Sequence, residues 1–249
     1  MIWLLITIIG LCIGSFFNVL LVRMFREPGS ITGRSHCPDC KHTLSWYDLL
    51  PLLSFIMLRG TCRYCGTRIS FRYPLVESLT AVLFIVFFWQ QGFQLSTPQI
   101  YMLVLMAGFY FIFLFDLLHY LIPDIAIFPM LVLVAVFLFL DQRTALLPNL
   151  VTGLLASLLF VILYVVSHGQ WIGLGDVKLV FLIGLAFGYP FGVLILIVAI
   201  WAAAIVGVML LITKRATPKT ALPFGSFLSA VAVVYILFIQ HVQIYRWLF

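Results

Sequence analysis

The sequence predicts an all-α polytopic membrane protein with about eight transmembrane helices and a small cytoplasmic zinc-knuckle insertion after the first helix. Three observations carry that expectation. The 249 residues are 64% hydrophobic and only 9% charged, with a mean hydropathy of +1.20. Soluble domains are roughly 45–50% apolar and about 25% charged, so this chain lacks the polar side chains to cover a water-facing surface. Apolar windows of about 17–22 residues, long enough to cross a bilayer core as helices, recur along it. The one long polar stretch, 23–73, holds four of the five cysteines. A disordered chain would need the opposite composition.

The first window, 2–22, carries no charge and exceeds the roughly 7–15 apolar residues of a signal-peptide core, so it reads as a span rather than a cleaved leader. Further spans are expected at 74–90, 98–115, 122–140, 148–166, 190–212 and 226–241, with a shorter eighth near 177–188. The stretch 177–212 is either one bent helix or two helices broken at Gly188-Tyr189-Pro190. Basic residues favour the break, because short cytoplasmic loops are enriched in Lys and Arg. The 23–73 loop holds eight of them: Arg23, Arg26, Arg34, Lys41, Arg59, Arg63, Arg68 and Arg72. With eight spans and the N-terminus outside, Lys178, Lys214, Arg215 and Lys219 join them at the inner face, leaving only Arg143 and Arg246 outside. The net charge of +6 then needs no nucleic acid partner, since a basic inner face beside the lipid bilayer accounts for it.

The chain therefore divides into a first helix (1–22), an insertion (23–73) and a helical bundle (74–249), with no internal repeat apparent. Within the insertion, the apolar run 49–58 is too short to cross and is expected to pack on the bundle or lie at the membrane interface.

Cys37-Pro-Asp-Cys40 and Cys62-Arg-Tyr-Cys65 have the spacing of a tetrahedral zinc site, in which two tight turns each offer two thiolates. The rival readings are a pair of disulfides, disfavoured in a reducing cytoplasm, and reduced free thiols. Cys12, inside the first span, is expected to be a small buried residue.

Only eight residues are acidic, and four of them, Glu77, Asp116, Asp124 and Asp176, interrupt or border apolar segments. A carboxylate in lipid is costly unless it is paired or faces a wet cavity, which makes these four the candidates for chemistry. Asp116, in LFDLLHYLIPD, and Asp176, in Gly173-Leu-Gly-Asp-Val-Lys178, both fall at cytoplasmic helix ends in the eight-span topology. Two carboxylates that converge share a proton. One then activates water while the other polarises a scissile carbonyl, as in aspartic hydrolases. Gly173 and Gly175 would admit close backbone approach beside Asp176. The alternatives stay open: a helix cap for Asp176, an interfacial residue for Asp116, an N-terminal helix carboxylate for Asp124, and an arginine-paired acid for Glu77. Lys178 either tunes the pair or marks the inner boundary. His119 beside Tyr120 is read as interfacial.

Taken together, Gly14-Ser-Phe-Phe-Asn-Val19 with Arg23, the two CxxC pairs, Arg72-Tyr-Pro74 with Glu77, Asp116 ahead of Ile122-Pro-Asp124, Gly173-Leu-Gly-Asp-Val-Lys178 and Pro223-Phe-Gly225 resemble the type IV prepilin peptidases, a family of GxGD-type intramembrane aspartic proteases. The resemblance implies Asp116 and Asp176 as catalytic aspartates in the inner membrane of a bacterial cell, cutting the short basic leader of type IV pilin-like precursors at the cytoplasmic face. It also implies S-adenosylmethionine-dependent N-methylation of the new terminus, as many members perform it, although no glycine-rich nucleotide loop is present. The family's last motif often reads PFGPF. Ser226 stands here in place of its second proline, a departure expected to touch no catalytic residue. Presenilin-like proteases share the GxGD aspartate but lack the two-knuckle insertion. The rival of a different class is a proton- or cation-coupled transporter using Asp116, Asp124 and Asp176, which predicts carboxylates strung through the bilayer and repeated halves. Because enzyme face and leader are both basic, recognition is expected to rest on the substrate's hydrophobic segment and on acids such as Glu77 or Asp124.

Overall fold

The computed structural model describes residues 1–26, 33–91, 93, 96–215, 217 and 220–239. Lys219, Arg246 and the last two residues of the expected 226–241 span lie outside them. The secondary structure is helical throughout the described residues, apart from two isolated β-bridges. The chain folds as two compact units, 1–94 and 95–249.

In the first unit, α1 (Ile2–Arg26) and α3 (Arg72–Gln91) flank the insertion and pack on each other. Small residues decide where they meet, as is usual where lipid supplies no hydrophobic drive for helix pairing. A methyl group on Gly10 would come 2.7 Å from the Ala81 Cα, and one on Gly14 would come 2.7 Å from the Glu77 Cα. The pairings 10 with 81 and 14 with 77 show that the helices run antiparallel. Asn18, buried, closes the seam by donating from Nδ2 to the Tyr73 carbonyl at 3.0 Å. Cys12 falls off this seam and is exposed on α1, not buried as its residue type had led us to expect. The run 49–58 resolves into a 3₁₀ turn, Trp46–Leu49, and a short helix, α2 (Leu53–Met57).

The second unit contains α4 (Thr97–His119), α5 (Asp124–Asp141), α6 (Arg143–Val166), α7 (Leu174–Phe187), α8 (Phe191–Ile212) and α9 (Phe224–Val234), the last continuing as a π-turn, Tyr235–Ile239. Among the described residues six helices, α1, α3, α4, α5, α6 and α8, are long and apolar enough to cross a membrane. The stretch 177–212 is two helices: α7 ends at Gly188, whose φ of 61° suits glycine, and α8 starts after Pro190. At 14 residues α7 is about 21 Å long, short of a bilayer core, but it packs against α5, α6, α8 and α9 and buries Val177, Leu179, Val180 and most of the turns that follow. The α6–α7 crossing is again a glycine contact, since a methyl on Gly184 would come 2.5 Å from the Gly153 Cα. Ser96 opens α4 by donating its N–H to Gln99 Oε1 at 3.1 Å, with Pro98 in the first turn. Over half of α4's membrane-length window is buried, more than in the other five.

Candidate active site and cysteine cluster

Asp116 lies in the last turn of α4 and is 4% exposed. The helix stops three residues later because Tyr120 turns left-handed, at φ 56°, and returns its N–H to the Asp116 carbonyl at 2.8 Å. The extended Leu121-Ile122-Pro123 then leads into α5. The Asp116 carboxylate receives the backbone N–H of Ser226 at 2.6 Å. Ser226 is the third residue of α9, where amide hydrogens have no partner within the helix and the dipole favours a negative charge. The Ser226 hydroxyl is occupied elsewhere, donating to the Pro223 carbonyl at 2.6 Å. Ser226, expected to stand clear of the chemistry, is therefore one of the groups holding Asp116.

Asp176 is the third residue of α7, and its Oδ2 accepts the Gly173 N–H at 3.1 Å. It is not the N-cap, a position Gly173 fills; its side chain reaches back over the cap instead. Ile122 links the elements that carry the two aspartates. A methyl on Gly175 would come 3.0 Å from the Ile122 Cβ, and one on Gly225 would come 2.5 Å from Ile122 Cδ1 and 3.1 Å from Asp116 Oδ2. The structure thus gathers Asp116, Gly173, Gly175 and Asp176 with Gly225 and Ser226, whose part in holding Asp116 the sequence gave no reason to expect. Both carboxylates are held by backbone N–H groups at helix starts, and among the described residues neither is paired with a cation.

Lys178 and Asp124 pair with each other, Nζ to Oδ1 at 2.6 Å, with the ammonium also 5.6 Å from the Phe128 ring centre. This ion pair joins α7 to the start of α5 and leaves Asp124 already matched to a cation. Glu77 belongs to the first unit, where it is buried and accepts the Leu52 N–H at 2.9 Å. The arginine pairing expected for it is not seen among the described residues.

All five cysteines are free. The sulfurs of Cys37, Cys40, Cys62 and Cys65 lie within 4.8 Å of one another, with Cys37 and Cys65 3.8 Å apart. A zinc ion with Zn–S bonds of about 2.3 Å sets its four sulfurs about 3.8 Å apart, so the cluster fits a tetrahedral ion. The two knuckles expected from the CxxC pairs share one backbone turn. Cys37 N–H bonds to the His42 carbonyl at 3.0 Å and Cys62 N–H to the Thr67 carbonyl at 2.8 Å. Lys41 and Gly66, at φ 60° and 71°, return their N–H groups to the first cysteine of each pair. A β-bridge flanks each knuckle, His36 with Thr43 and Thr61 with Arg68.

Thr67, through its hydroxyl and backbone N–H, draws the Cys65 thiol down to about 6. At Cys40 the His42 backbone favours the thiolate, but burial and the adjacent Cys65 and Cys37 thiols prevail and push it up to about 11. Asp48 fastens the knuckles together, accepting Arg63 Nε at 2.7 Å, the Tyr64 hydroxyl at 3.1 Å and the Ser45 N–H at 3.2 Å. Burial opposes its charge, yet these three donors outweigh burial and hold the carboxyl below the usual carboxylate range.

Residues 8–91 match the family described as the bacterial peptidase A24 N-terminal domain, and residues 103–208 match the type IV leader peptidase family. The chain is 36% identical over 219 residues to a prepilin leader peptidase/N-methyltransferase of Myxococcus xanthus, covering 86% of this chain and 64% of that protein's length. It is 35% identical over 261 residues to the type 4 prepilin-like proteins leader peptide-processing enzyme of Escherichia coli O78:H11, with 92% of each covered. With a prepilin leader peptidase/N-methyltransferase of Pseudomonas putida the identity is 31% over 250 residues, covering 90% and 86%. No solved structure gave a significant match. None of these relatives supports the transport reading. With two family matches in order along the chain and a 35% identical relative covered over 92% of its length, this protein belongs to the type IV leader peptidase family.

Proposed function

We propose that this protein is a membrane aspartic endopeptidase that removes the short basic leader of type IV prepilin-like precursors, with Asp116 and Asp176 as the catalytic pair. The observation that carries the reading is that the elements holding the two aspartates meet at Ile122: Ser226 donates to Asp116 at 2.6 Å, and Gly225 beside Asp116 and Gly175 beside Asp176 both abut the Ile122 side chain. One carboxylate, ionised, takes a proton from water as it attacks the scissile carbonyl. The other, protonated, donates to the carbonyl oxygen and then helps deliver a proton to the departing amine. Backbone donors from Ser226 and Gly173 keep both acids oriented through the cycle. The Lys178–Asp124 pair ties α7 to α5 beside the site and has a positioning role.

The topology we assign is eight spans, counting α7 and α9, with the N-terminus outside and the pair at the cytoplasmic face of a bacterial inner membrane, because this arrangement places most Lys and Arg within. Cys37, Cys40, Cys62 and Cys65 are assigned to one structural zinc ion, which when bound locks the two knuckles into one body. Methylation of the new terminus by S-adenosylmethionine is supported by the relatives' names. An open apolar groove lined by Ala135, Val136, Phe139, Leu140 and Leu146 does not fit that donor, because these side chains offer its charged sulfonium and ribose no polar partner.

The experiment is intact mass spectrometry of a pilin-like precursor co-expressed with this protein or with its Asp176→Asn variant. We expect loss of the leader with the unmodified enzyme only, and one added methyl group on the product if the second activity is present. Equal cleavage in both samples would remove the aspartate assignment.

A further inference from the structure

Residues 49–58 have a place in the first unit that their amphipathic exposure and their depth determine together. Leu53, Ile56 and Met57 are 58%, 68% and 77% exposed, and their spacing of three and four residues puts them on one side of α2. Phe55 turns the other way, with its ring 6.3 Å from that of Phe71 and directly over Gly60. An apolar face of this kind, beside exposed Trp46, is unusual for a domain standing in water.

Depth comes from one hydrogen bond. The Leu52 N–H, in the middle of the run, is donated to Glu77 at 2.9 Å. Glu77 lies five residues into α3, which at 1.5 Å per residue is about 7 Å along the helix from Arg72. Leu52 holds φ 59° to make this contact, a backbone conformation that leucine rarely adopts. The apolar run is thereby pinned below the first turn of a membrane-spanning helix. Arg59, two residues past α2, and Arg72, the first residue of α3, are both exposed. Cations next to an apolar segment match an anionic leaflet, with arginines at the headgroups and aliphatic side chains among the acyl chains.

We propose that residues 49–58 form an interfacial segment whose Leu53, Ile56 and Met57 face enters the acyl region of the bilayer, so that the cysteine knuckles are anchored to the leaflet at a third point besides α1 and α3. The occupant of this face is lipid. Any peptide substrate meets the knuckles at the membrane surface and not in free solution.

The test places a photoreactive benzophenone amino acid at Ile56, at Met57 and, as a control on a knuckle tip, at Asp39 of the full-length protein in vesicles of phosphatidylethanolamine and phosphatidylglycerol. After irradiation, mass spectrometry reads the adduct. Lipid adducts at 56 and 57, at least tenfold more abundant than at 39, are expected. Adducts at 56 and 57 to another part of the chain or to a second copy, or lipid yields no higher than at 39, would overturn the proposal. The readout needs no enzymatic activity, so it stands or falls separately from the peptidase reading.

Discussion

Gly225 has no side chain because Asp116 and Ile122 occupy the space a methyl group would need, at 3.1 and 2.5 Å. Gly225→Ala is therefore expected to push the carboxylate off its donor and to slow precursor cleavage at least tenfold, roughly the 1.4 kcal/mol or more that misplacing one catalytic group costs. Ser226→Ala keeps the backbone N–H and should leave cleavage within about twofold, which corresponds to less than 0.5 kcal/mol. Steady-state cleavage rates check both, and an unimpaired Gly225→Ala enzyme would show that this contact does not position Asp116. The aspartates themselves were legible in the sequence because a carboxylate in an apolar stretch demands a reason. Gly225 and Ser226 were legible only as a motif. Their role is a contact across 110 residues of chain, and no local pattern encodes it. The pairing of Lys178 with Asp124 was hidden for the same reason, since each looked like an independent boundary charge until α5 and α7 came together.

The helices were readable because length and apolarity decide what can cross lipid, and the observed elements keep close to the expected windows, with α4 running four residues past its window to the left-handed turn at Tyr120. The break before α8 followed from Gly188 and Pro190. What a hydropathy window does not encode is which face meets which neighbour. Gly10 and Gly14 on α1, and Gly153 and Gly184 between α6 and α7, are the places where backbones touch. Overfilling such a seam typically costs about 1–3 kcal/mol. Gly14→Val and Gly184→Val should each lower the thermal midpoint in detergent, while the same change at Gly207, where a methyl group would meet only Leu222 Cδ1 at 3.2 Å, should cost less. Equal midpoints for all three would contradict the glycine seams. The two CxxC knuckles were legible from their spacing, but that their backbones match was not, because the copies share few side chains beyond the cysteines and the likeness is in the hydrogen bonds.

At the scale of the molecule, the first unit pairs α1 with α3 and carries the cysteine cluster in the insertion between them, and the second packs its helices around α4 and α7, which carry the aspartates. This division by packing also follows the two family matches, 8–91 and 103–208. The insertion is too small to hold its fold on apolar packing, and its described core is the buried Cys37 and Cys62 with the Asp48 clamp. Removing bound metal with a chelator under reducing conditions should open the insertion to proteolysis between 37 and 65. Unchanged resistance would contradict a structural zinc. Asp48, held below the ordinary carboxylate range by Arg63, Ser45 and Tyr64, contributes stability that is present above about pH 4 and is lost as pH falls through its folded value. Proteolysis of the insertion should accordingly accelerate in acid, and Asp48→Asn should show the acid rate at neutral pH.

The most direct measurement is the cleavage rate of a pilin-like precursor by purified Asp116→Asn and Asp176→Asn enzymes in vesicles, beside the unmodified protein and with membrane insertion confirmed for all three. Asparagine preserves size and accepts the same backbone N–H, so the folds should survive. Each substitution alone is predicted to reduce cleavage by at least a thousandfold. Cleavage near the unmodified rate by either variant, correctly inserted, would show that Asp116 and Asp176 do not act as the catalytic pair.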